Sequence, residues 1–193
     1  MPTFKQLTGY LQDVGATEVM HSSKGYLAHA IGVYNDLKTW GWDEEMSRIG
    51  IFHSIYGTEL FQGFTLSLER RDEVQKLIGN RPEHICWLNC ALDRPHFDQQ
   101  IRKAKGPYQI LDRFTGEIVD VSDDDFNALC EMHLIDWLEQ VGRSQAFDYR
   151  RTAYRDLAHS VGGKCLENYE KVFAEAGDQI WMREYEWPEH VPR

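Results

Sequence analysis

The sequence predicts an all-α protein, mainly a helical bundle, with one small β-hairpin. Three observations carry this. Apolar residues recur at three- and four-residue spacing over several segments. Glycine, proline and capping residues punctuate those segments where helices should start and stop. One stretch, 108–121, has a different pattern, in which two short β-rich runs flank Phe114-Thr115-Gly116.

The elements follow in order. Thr3 is placed to cap a short first helix that ends near Gly15. A second helix is expected from about Lys24 to Thr39, with Tyr26, Leu27, Ala30, Val33, Tyr34 and Leu37 as its apolar stripe and His29 at the edge. Gly41 breaks it, and Asp43 caps a third helix from about Glu44 to Tyr56. That helix is apolar nearly all round, which predicts burial and puts His53 inside the protein. A fourth helix spans about Leu68 to Ile78 and stops at Gly79-Asn80. A fifth starts at Pro82, runs to about Asp93 and is halted by Pro95. Its Cys86, Asn89, Cys90 and Asp93 share a small polar face suited to lining a pocket. After the hairpin, Ser122 with Asp125 caps a strong helix to about Val141, whose stripe includes His133 and Trp137. A last long helix covers about Tyr149 to Ala176, with a bend expected at Gly162-Gly163. The tail, 177–193, holds Trp181 and Trp187, which should dock on the body.

These 193 residues fit one domain, 1–193, long enough to bury a core without staples. Asp and Glu outnumber Lys and Arg by 31 to 21, for a net charge of −10. Such a surface repels nucleic acid and anionic membranes, so neither is an expected partner. No apolar run approaches the ~20 residues of a membrane helix. The four cysteines match neither a zinc signature nor a disulfide framework. They read as free thiols in a reducing, cytoplasmic compartment. A homodimer is compatible with the composition.

Three segments stand out together: Tyr26-Leu27-Ala28-His29, Ile49-Gly50-Ile51-Phe52-His53-Ser54 and Ala91-Leu92-Asp93-Arg94. Their order resembles the HD superfamily of metal-dependent phosphohydrolases, in particular its stringent-response branch, over roughly residues 20–95. The fuller string from His53 to Glu59, with His21-Ser22, Trp40-Gly41, Arg113 to Glu117 and Trp137 to Gln140, is similar to a bacterial HD-like family with no assigned function. In that family His-Ser stands where the superfamily has His-Asp. The resemblance implies an HD-like bundle and a metal held by His29, His53 and Asp93.

Ser54 is a departure with a physical consequence. A serine is neutral and a weak ligand, so losing the carboxylate should lower affinity for a divalent ion. Two histidines and one carboxylate still suit iron, manganese or zinc, with open positions for substrate. Glu59 or His133 would then serve as general acid or base, and Arg94 would clamp an anionic small-molecule substrate. The expected function is hydrolysis of a phosphoester or nucleotide-like molecule. Two alternatives stay open: a degenerate HD-like domain that binds a ligand or protein partner without metal, and an HD-like iron oxygenase. Each residue also has a plainer reading. His53 and His133 could be core histidines, Asp93 and Arg94 surface ion-pair members, and Glu59 a cap.

Overall fold

The structure is a computed structural model, and it describes residues 1–21, 24–141 and 150–176. It is mainly helical with a small antiparallel hairpin, as the sequence patterns require.

Helix α1 (Phe4–Asp13) begins at a capping box, in which Gln6 N donates to Thr3 Oγ1 while Thr3 N donates to Gln6 Oε1. It buries Leu7 and Leu11. A short ribbon the sequence did not signal follows, β1 (Met20–His21) against β2 (Lys24–Gly25). Helices α2 (Tyr26–Thr39) and α3 (Glu44–Phe52) pack closely against each other. Asp43 caps α3 by accepting from Met46 N at 2.9 Å. The close approach depends on Gly50: a Cβ there would meet Leu37 Cδ1 at 2.3 Å and Val33 Cγ1 at 3.3 Å.

Helix α3 ends at Phe52, a turn earlier than its apolar pattern suggests, and His53 is its C-cap. Successive tight turns then carry the chain through the buried Ile55 and Tyr56. A single 3₁₀ turn, Leu68–Arg70, leads into α4 (Arg71–Ile78), and α5 (Asn80–Ala91) packs on it. Glu83, wholly buried, pins the pair by accepting from Arg71, Gln75 and Tyr56. A buried carboxylate is tolerated only when so fully satisfied.

The periodicity predicts that α5 runs on to about Asp93 and halts before Pro95. Leu92 instead leaves the helical region, and α6 (Arg94–Ile101) starts anew with Pro95 in its first turn. The hairpin, β3 (Tyr108–Leu111) with β4 (Ile118–Val121), pairs Tyr108 with Val121 and Leu111 with Ile118. It is tied to the α5–α6 elbow through Asp93 N to Leu111 O and Arg113 N to Ala91 O. The Arg113 guanidinium adds bonds to the carbonyls of Cys90 and Gly57.

Helix α7 (Asp123–Val141) is the central strut, contacting α2, α3, α5, α8 and α9. The expected last helix is two, α8 (Arg151–Val161) and α9 (Gly163–Ala176), divided at Gly162 with φ 68°. Trp137 and Tyr154 stack at 4.3 Å and hold α8 on α7. The tail tryptophans lie outside the described residues.

The α2–α3 contact makes a direct prediction. Gly50→Ala should lower stability by about 1–3 kcal/mol through overpacking, read as a lower urea midpoint. An unchanged midpoint would show that the two helices are not in this contact.

Candidate metal centre

Two of the three expected ligands meet, and the third comes from elsewhere. His29 projects from the first turn of α2 and His53 from the end of α3, and both are buried. Their rings cross edge to face at 5.1 Å. Asp136, on α7, completes the group, which is the set of His, Cys, Asp and Glu side chains among the described residues that could hold a metal ion.

The carboxylate expected from Asp93 is absent from this group for a physical reason. Asp93 caps α6, accepting from His96 N at 2.8 Å. Glu59 has a related task, because its Oε2 accepts from Arg94 N at 3.0 Å. The expected base and the expected ligand thus both satisfy the open N–H groups of one helix start. Arg94 is buried beside them, at the head of α6.

The inner geometry fixes where the protons are. His53 Nδ1 lies 2.7 Å from Gly50 O, and a carbonyl can only accept, so Nδ1 carries the hydrogen. His29 Nδ1 lies 2.6 Å from Glu139 Oε2, a carboxylate on the same helix as Asp136. In the neutral imidazoles both Nε2 atoms therefore present lone pairs. They lie 3.3 Å apart, and Asp136 Oδ1 is 3.0 Å from that of His29 and 3.4 Å from that of His53.

Three electron-pair donors thus face one another in the core, which calls for a cation among them. A tetrahedral ion with ligands at about 2.0–2.1 Å holds its ligand atoms roughly 3.3 Å apart, so the triangle has suitable dimensions. The outer contacts also suit a metal, since ligating imidazoles commonly give their other N–H to a carboxylate or a backbone carbonyl. A proton on one imidazole would answer the same need as an ion pair with Asp136. In that ion pair, burial alone would raise the Asp136 carboxyl, but His53 and His29, with a proton shared toward it, hold it well below the usual carboxylate range.

His133 stands one helical turn before Asp136 and has different work from the acid–base role expected of it. Its Nδ1 is 3.0 Å from Asn89 Oδ1, and Asn89 Nδ2 donates to the backbone carbonyl of His53 at 2.9 Å. Its Nε2 faces Arg150 Nη1 and the Tyr154 hydroxyl, both at 3.4 Å. Burial, then Arg94 and Arg150, push its pKa well below the ordinary value, so the ring stays neutral. Cys90, on the face of α5 expected to line a pocket, gives its thiol to the same His53 carbonyl. Ser54 is buried with its hydroxyl beside the phenol of Tyr26, which burial pushes up.

The triangle is not wholly sealed, for the Asp136 side chain is 13% exposed. A cleft of about 660 Å³ lined by Trp42, Glu131 and Lys164 contains none of the three groups.

Residues 10–94 match a family described as a domain of unknown function, DUF6817. The matched span holds His29, His53 and Asp93 and stops short of Asp136. No curated protein and no solved structure matches the chain.

The buried His133 gives a pH prediction. An unfolded chain protonates this imidazole below about 6.5, whereas the folded chain does not until well below that value. The unfolded state then binds more protons, so stability falls as pH drops below about 6.5. The urea midpoint should decline from pH ~7.5 to ~5 by this linkage, and His133→Gln should decline less steeply. Equal slopes would remove His133 from the account.

Proposed function

We propose that the protein is an HD-like metal-dependent hydrolase acting on a small anionic molecule, with His29, His53 and Asp136 as the metal ligands. The observation that carries this reading is the convergence of two Nε2 atoms and one carboxylate oxygen, each edge between 3.0 and 3.4 Å, with both Nδ1 atoms already committed as donors. Two imidazoles and a carboxylate favour iron, manganese or zinc and leave coordination positions for water and substrate. Such an ion, when bound, polarises the scissile group and lowers the pKa of a coordinated water toward 7.

The chain's own residues supply the rest. Glu139 fixes the tautomer of His29 and strengthens it as a donor. The Gly50 carbonyl does the same for His53. Arg94, held at the start of α6 by Glu59, brings positive charge to this side of the molecule and favours a phosphoryl or carboxylate group. A set of two histidines and one carboxylate is also that of oxygen-activating iron sites, so the metal's identity separates hydrolase from oxygenase. A metal-free reading draws on Ser54, which removes the carboxylate expected beside His53. Asp136 is then the counter-ion of a protonated imidazole, and the domain binds its ligand without catalysis.

Elemental analysis of four purified proteins separates these readings. The parent should carry near-stoichiometric metal, and His53→Ala and Asp136→Ala should carry almost none. Asp93→Ala should keep its metal while losing about 1 kcal/mol of stability with its helix cap. A parent protein free of metal after incubation with excess divalent ions would overturn the hydrolase reading. Metal lost from Asp93→Ala and kept by Asp136→Ala would overturn the ligand assignment.

A further inference from the structure

Helix α5 contributes no ligand to the triangle, yet it touches two of the ligand-bearing segments through one side chain. Asn89 is 2% exposed. Its two polar atoms are used in opposite senses: Nδ2 donates to the His53 carbonyl at 2.9 Å, and Oδ1 accepts from His133 Nδ1 at 3.0 Å. These partners fix the amide's orientation, because the carbonyl cannot donate. The amide in turn fixes the tautomer of His133, leaving its Nε2 as an acceptor toward Arg150 and Tyr154. His133 and Asp136 lie three residues apart on α7, so they stand on one face. A single amide therefore spans the gap between the end of α3, where His53 sits, and the turn of α7 that carries Asp136.

We infer that Asn89 is a positioning residue for the metal centre, setting the separation of His53 and Asp136 by holding the His53 carbonyl and, through His133, the Asp136 turn of α7. This rests on the metal reading above and deepens it. The chemistry favours amide over other side chains at this point. A hydroxyl is too short to reach both partners, a carboxylate cannot donate to the carbonyl, and an apolar group leaves the His133 N–H unmet and the His53 carbonyl with only the weak Cys90 thiol. The bonds run in one direction, from Arg150 to His133, from His133 to Asn89 and from Asn89 to His53, an arrangement in which each bond polarises the next.

The test is metal binding by Asn89→Leu, which keeps bulk, and Asn89→Ala, which does not, with Val74→Ala as a control. Val74 is a buried residue of α4, a helix that supplies no member of the triangle, so its truncation serves as the control for lost stability. Zn²⁺ affinity is measured by chelator competition, and the visible spectrum of Co²⁺-loaded protein reports the ligand geometry. Both Asn89 variants should bind Zn²⁺ about 10–100-fold more weakly and give altered Co²⁺ spectra, whereas Val74→Ala should stay within about twofold of the parent. Asn89 variants that bind like the parent, or lose no more than Val74→Ala at equal thermal destabilisation, would overturn the inference and leave the metal reading standing. A parent protein that takes up neither Zn²⁺ nor Co²⁺ overturns both.

Discussion

Three electron-pair donors from three helices meet in the interior with their lone pairs turned inward, and the surrounding structure serves to keep them there. Left uncompensated, this grouping would be costly, because buried lone pairs turned on one another have no donor. The helices nonetheless pack closely. Gly50 lets α3 lie against α2, and α7 closes over the pair. The backbone of α3 also acts as a support, because the carbonyl of Gly50 holds the ring of His53. One glycine therefore serves both the packing of α3 and the orientation of the His53 ring.

The satellite polar networks follow the same logic of full satisfaction. The desolvation of the buried Glu83 is offset by the hydrogen bonds it accepts from Arg71, Gln75 and Tyr56. Arg113 fastens the hairpin to the end of α5 and to the turns after α3 through the carbonyls of Cys90 and Gly57. The four cysteines act as small buried groups, and burial raises the pKa of each thiol. They therefore remain protonated weak donors rather than competing metal ligands.

Much of the fold was legible because local signals and packing agree. Thr3, Asp43 and Ser122 cap the helices they were expected to cap, and Gly116 turns the hairpin. The apolar stripes of their helices made the burial of His29 and His53 legible, while their pairing as ligands came from the HD-like resemblance. Asp136 was missed because a lone acid in a helix usually marks its wet face. The available signal was His133, Asp136 and Glu139 at three-residue steps, in a helix otherwise apolar on most sides. Asp93 was expected as a ligand through the likeness of Ala91-Leu92-Asp93-Arg94 to the HD pattern. Asp followed by Arg and Pro is a helix start, and the uninterrupted periodicity before it hid the break at Leu92. The roles of Glu59 and His133 depend on which groups stand opposite them in space, which spacing along a chain does not encode.

The partners His29 and Glu139 are 110 residues apart in sequence, and α2, α3 and α7 must all be docked before the triangle exists. An ion seated there would close long loops of chain, as a disulfide does, without oxidative chemistry. Binding only the docked state, it would turn its own concentration into folding free energy. In a domain whose four thiols are all buried and free, that would be a reversible staple, drawn tight by supply of the ion and released by a chelator.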